Sequence, residues 1–172
     1  MTEIVRTRDV VTLFKGDAYP VSLSDAMVAS GWAGGQGVQW ADSPLDEFMV
    51  TFSDGLYGGF LLWGSNEAQD QYVGQVTSQQ KYRYGTLCAG GWIISTSTYE
   101  KYTYASRLVG PLVPITYAVR DRLVFSLRGL WTKEDEWTLS GDPRGANTYY
   151  IANVIQVPSA ANNNYLMLQT SI

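Results

Sequence analysis

The sequence predicts an all-β protein: an antiparallel β-sandwich of jelly-roll type with one short helix near residues 22–31. Three observations lead there. Eleven short runs rich in β-branched and aromatic residues recur along the chain, separated by Gly, Asn, Asp and Ser. Several of these runs alternate apolar and polar positions with the period of a strand. Helical patterning is confined to one stretch and a single possible turn.

Residues 1–8 carry Glu3, Arg6 and Arg8 with little apolar content and read as an N-terminal arm that orders against a partner. The domain proper is expected to span 9–172, because no repeat, linker or shift in composition divides it. "DVVTLF" (9–14) opens the strands. "SLSDAMVASGW" (22–32) is the helix, with Ser22 or Ser24 as its cap and Gly31 as its stop. "GWAGGQGVQWADSPLDE" (31–47) reads as a long ordered loop whose Trp32 and Trp40 seek burial.

Strands follow at "FMVTF" (48–52), "YGGFLLW" (57–63), "QYVGQV" (71–76), "QKYRYGTL" (80–87) and "GWIISTS" (91–97). "EKYTYAS" (100–106), "PITYAV" (114–119) and "RLVFSLRG" (122–129) continue the series. In the last of these Leu123, Phe125 and Leu127 share one face, and Val124, Ser126 and Arg128 the other. "TKEDEW" (132–137) is read as one helical turn capped by Thr132. "TYYIANVIQV" (148–157) places Tyr149, Ile151, Asn153 and Ile155 opposite Tyr150, Ala152 and Val154. Apolar on both faces at its centre, it is expected to be covered on both sides. "YLMLQT" (165–170) ends the series.

Composition excludes several functions. Histidine is absent, which removes Ser–His–Asp and Cys–His catalysis and every His-ligated metal site. The one cysteine, Cys88, cannot form an internal disulfide and sits in an apolar run that predicts burial. The net charge of −4 and the scattered cations argue against nucleic-acid partners and against an anionic membrane surface. No apolar leader opens the sequence and no run approaches the ~20 residues of a membrane span, so synthesis in a cytoplasm is expected.

Charged residues make up 16% of the chain, against about 25% in an average domain, and aromatics 13%. A surface poor in charge and rich in Tyr and Trp suits contact with other protein.

Three chemical sites were weighed. Glu134, Asp135 and Glu136 beside Trp131 and Trp137, with Asp46 and Glu47 elsewhere, are the carboxylates available for glycoside hydrolysis. Being consecutive, they read as a solvated helix start. Asp42, Asp46 and Asp54 offer oxygen ligands without the spacing of a calcium loop, which leaves calcium open. "GWAGGQG" lacks the Gly-Lys-Ser/Thr ending of a phosphate loop and reads as loop punctuation. No catalytic residue, cofactor or metal ligand is assigned, and the expectation is a protein that is not an enzyme.

The remaining feature is the aromatic ribbon "KYRYGTLCAGGWIISTSTYEKYTY" (81–104). Tyr82 and Tyr84 share one strand face, as do Tyr102 and Tyr104. Such rings serve as core, as a subunit interface or as a platform for a glycan.

Three further stretches, "GGFLLWGSNEAQDQYVG" (58–74), "LVFSLRGLWTKEDEW" (123–137) and "VIQVPSAANNNYLMLQTS" (154–171), resemble segments of small virion structural proteins of tailed bacteriophages. The nearest class is the capsid decoration or cement proteins. The resemblance implies a β-rich, jelly-roll-like trimer that clamps neighbouring subunits of the major capsid protein, and hence a place in the virion. A tail or head–tail connector component is the first alternative, and a lectin-like receptor binder the second. The residues expected at interfaces are Arg6, Arg8, Tyr82, Tyr84, Tyr102, Tyr104 and Trp131, with the arm and the ending "LQTSI" as threads onto a neighbour.

Overall fold

In the computed structural model, which describes residues 10–41, 49–52, 58–62, 84–134, 136 and 151–170, the strands divide between a closed barrel and an open sheet. The barrel is built from β2 (Asp17–Leu23), β3 (Gly37–Trp40), β4 (Met49–Phe52), β5 (Gly59–Leu61) and β6 (Tyr84–Ala89), closing in the order β2-β4-β3-β5-β6. The β2–β4 pair is parallel and the others are antiparallel. Between β2 and β3 lies the helix α1 (Asp25–Ser30). Ser24 caps it, its Oγ accepting from Met27 N at 3.4 Å, and Gly31 stops it at φ 74° with its N–H donating to Met27 O.

A barrel this narrow is filled by side chains. Val21, Leu23, Met27, Trp32, Val38, Val50, Leu61 and Leu87 form its core.

The sheet comprises β1 (Val10–Phe14), β7 (Ile93–Thr96), β8 (Arg122–Phe125), β9 (Trp131–Lys133), β10 (Ala152–Gln156) and β11 (Leu166–Thr170). Its order is β1-β7-β11-β10-β8-β9, antiparallel throughout. A second short helix, α2 (Tyr104–Leu108), follows β7.

The two units share one hydrophobic cluster. Phe60 of β5 and Cys88 of β6 are buried together with Trp92, Ile94, Leu123, Phe125, Trp131 and Leu168 from the sheet side. Phe60 meets Trp92 edge-on at 5.7 Å and Trp131 at 6.1 Å, and Phe125 lies 4.3 Å from Trp131.

Glycine permits this approach. A Cβ on Gly37 would stand 2.5 Å from the Phe125 ring, and one on Gly35, at φ 85°, would strike Thr98, Val10 and Thr96. Gly37 N donates to Gly129 O at 2.7 Å across the same line. The segment expected to be loop punctuation is therefore the seam between barrel and sheet, and its last residue, Gly37, opens strand β3.

The all-β class and a helix within 22–31 stand as expected, but the helix is not alone, since α2 forms where a strand was expected. The jelly-roll sandwich does not stand: hydrogen bonding closes five strands on themselves instead of pairing them into two facing sheets. "TKEDEW" begins in strand, since residues 131–133 pair with β8 through a turn in which Gly129 takes φ 74°. "EKYTYAS" and "PITYAV" meet in only one isolated bridge, Tyr102↔Pro114, and the first of them runs into α2. Strand β8 is buried on both faces, whereas β10 is exposed from Ile155 onward, past a bulge. The arm at 1–8 and the strand expected at 71–76 lie outside the described residues.

Candidate interaction surface

The aromatic ribbon divides. Trp92 and Tyr99 are core: Trp92 Nε1 donates to Ala89 O at 2.8 Å, and Tyr99 OH donates to Asn164 O at 2.6 Å. Tyr99 also meets Tyr117 edge-on at 5.6 Å. Tyr102 and Tyr104 are half-buried, the first with the Arg107 guanidinium 5.8 Å above its ring. Tyr84 begins β6. Arg6, Arg8 and Tyr82 lie outside the described residues. Trp131, expected at an interface, is fully buried between Phe60 and Phe125 and is a core residue. Its size and its place on a strand covered from both sides explain the difference. Trp40 departs in the opposite sense, being 46% exposed at the end of β3.

The segment that holds Tyr102 and Tyr104 leads to the most exposed apolar surface among the described residues. Leu108, Val109, Gly110, Pro111, Leu112, Val113 and Pro114 are all exposed, with the large side chains Leu108 at 65%, Val109 at 78%, Leu112 at 51% and Val113 at 52%. Seven consecutive apolar residues facing water are unusual in a protein that works alone.

The loop is held in shape at its neck. Thr103 N donates to Val113 O at 2.9 Å, Ile115 N donates to Lys101 O at 2.9 Å, and Val109 N donates to Ala105 O at 3.2 Å. Thr103 also caps α2, its Oγ1 accepting from Ser106 N at 3.3 Å. Pro111 and Pro114 fix φ at two further positions.

Beneath the neck lies an ion pair that sequence reasoning missed, a buried carboxylate met by a half-exposed guanidinium. Glu100 is 0% exposed, and its carboxylate accepts from Arg128 Nε at 2.9 Å, Arg128 Nη2 at 3.0 Å and Ser126 Oγ at 2.9 Å. Its carbonyl accepts from Tyr117 OH, and its N–H donates to Trp131 O at 2.7 Å. Glu100 thus ties the start of the neck to the 126–130 turn and to the core. Burial pushes the Tyr117 hydroxyl well above the usual tyrosine value, and the Cys88 thiol up to about 12. Both groups stay neutral at physiological pH.

Two other features complete the surface. Strand β1, first in the sheet order, exposes Val11 at 44%, Leu13 at 55% and Phe14 at 61%. A polar depression of about 280 Å³ is lined by Arg120, Asp121, Arg122, Lys133 and Glu134, with Lys133 Nζ 3.5 Å from Asp121. Glu134 and Glu136, weighed as catalytic acids, are half-buried at the end of β9 and in the turn after it. Among the described residues no three His, Cys, Asp or Glu side chains gather as a metal site would require.

No protein-family model matches the chain, and a search of curated proteins returns no match.

Proposed function

We propose that this protein is a structural, non-catalytic component of a phage virion that self-associates and adheres to the outer face of the capsid shell. The observation that carries the reading is the 108–114 loop: ordered at its neck, apolar throughout, and turned to solvent.

Fully burying one Val or Leu side chain is worth roughly 1.5–3 kcal/mol. Given the exposed fractions of Leu108, Val109, Leu112 and Val113, covering the loop contributes about 4–7 kcal/mol. Association itself costs about 4–15 kcal/mol. One loop therefore sits near balance, while several loops presented together on a repeating lattice bind firmly through effective concentration. This is the energetic form of a clamp. The preferred assembly is a trimer, with the major capsid protein as partner.

Co-sedimentation of purified protein with mature shells tests the reading. Binding that weakens sharply in Val109→Asp is expected. A protein that stays in the supernatant with intact shells at every concentration tried sinks it.

A further inference from the structure

We infer that the depression between the 118–121 turn and the adjoining ends of β8 and β9 binds a small zwitterion, by chemical class a free α-amino acid. The inference goes beyond the proposed reading, because the adhesive loop takes no part in it.

The depression holds about 280 Å³ and is lined by Arg120, Asp121, Arg122, Lys133 and Glu134. Pockets for drug-sized molecules run from about 300 to 1,000 Å³, so this one suits a smaller ligand. Its lining consists of ionisable residues, three cations and two carboxylates.

One pair among them is committed to the fold. Asp121 Oδ2 accepts from Ala118 N at 2.7 Å and lies 3.5 Å from Lys133 Nζ. Lys133 Nζ also donates to Thr116 O at 3.1 Å. Arg120 and Glu134 differ: neither side chain makes a hydrogen bond or ion pair among the described residues. A guanidinium and a carboxylate thus line one cavity without meeting each other.

The backbone adds a second, independent observation. Residues 118–121 form a tight turn in which Asp121 N donates to Ala118 O at 3.1 Å and Arg120 N to Val154 O at 2.9 Å. Arg120 takes φ 75° there, a conformation that glycine or asparagine normally fills and that strains other residues. The other described non-glycine residues at positive φ are Asn163 and Asn164. Such strain persists where a side chain is needed in place. Arginine is a poor choice for the turn, but its paired N–H donors grip a carboxylate.

Charge selects the ligand. Three cations less two carboxylates leave the lining a formal +1, and Glu134 repels a multiply charged anion. A zwitterion satisfies both unpaired groups: its carboxylate meets Arg120, with Arg122 adding a second cation to the wall, and its ammonium meets Glu134.

The test titrates the full chain with L-alanine and follows backbone amide shifts by NMR. Saturable shifts at residues 118–122 and 133–134 are expected, with a Kd on the order of 1 mM, since a few exposed charge-assisted contacts give little more. Propionate, which lacks the ammonium, and propylamine, which lacks the carboxylate, should each bind about tenfold more weakly or worse. Arg120→Gly should weaken L-alanine binding by about tenfold or more, while its urea midpoint holds or rises, because glycine takes that φ freely. Glu134→Gln should bring L-alanine down toward the affinity of propionate.

Absence of saturable shifts at these residues overturns the inference. So does propionate or inorganic phosphate that binds as tightly as L-alanine, which would mark a plain anion site. Arg120→Gly or Glu134→Gln protein that binds L-alanine as the wild type does also overturns it, and a lowered midpoint in Arg120→Gly with undiminished binding would make that side chain a structural brace instead.

Discussion

Replacing Arg128 by Met is the sharpest probe of the frame beneath the loop. The Glu100 carboxylate is fully buried and receives two of its three side-chain hydrogen bonds from Arg128. Removing one member of a buried pair typically costs about 3–5 kcal/mol, because the surviving charge is left without compensation. The Arg128 side chain is itself 45% exposed, so water can follow into the space it leaves. The lower end of the range, about 3 kcal/mol, is therefore expected.

With a urea dependence of about 2 kcal/mol per molar, the unfolding midpoint should fall by ~1.5 M. Adding Glu100→Gln to Arg128→Met should recover more than half of the loss, since the amide keeps the Ser126 contact and carries no charge. A loss below about 1 kcal/mol, the level of a surface pair, would refute the claim that the carboxylate is sealed from solvent. Failure of the double variant to recover would show that shape, not charge, holds this corner.

Three further outcomes are expected. Trp131→Ala should lower stability by about 3–5 kcal/mol in thermal or urea unfolding, and a variant of normal stability would return that ring to the surface. Gly37→Ala places a methyl against a Phe125 ring that Trp131 holds from behind, and should cost roughly 1–3 kcal/mol; an unchanged midpoint would mean that barrel and sheet are not in contact there. Cys88 and Tyr117 have folded pKa values raised above their ordinary 9.0 and 10.0, so the unfolded chain releases these protons first. Stability should hold below pH 9 and decline as pH climbs toward 12. Cys88→Ala and Tyr117→Phe should each flatten that decline in urea titrations, and identical slopes in wild type and variants would contradict the burial of both groups.

Much of the strand content was legible because β1, β7, β8 and β11 carry β-branched or alternating runs bounded by turn residues. What stayed hidden has physical reasons. Strand β3 lies in a segment whose glycines look like turn formers but serve close approach to Phe125 and Thr98. Strand β2 includes Pro20, which demotes a run in any local reading, yet it is stitched to β6 over six residues. Glu100 and Arg128 are 28 positions apart, and nothing local links them until the 126–130 turn brings them together.

The 108–114 loop was the reverse case. "LVGPLVP" reads as core by hydrophobicity alone, but two prolines and a glycine deny it a place in a central strand. An apolar run that cannot join a sheet was a signal available before any coordinates.

The neck at Lys101–Thr103 and Val113–Ile115 has a consequence for how such a protein changes over time. Both hydrophobic clusters lie behind those stitches, and of the tip beyond them, residues 104–112, only Ser106 is buried. Replacement tips of similar length can therefore be spliced in as a cartridge, redirecting adhesion to a new surface while the chassis behind it is left alone.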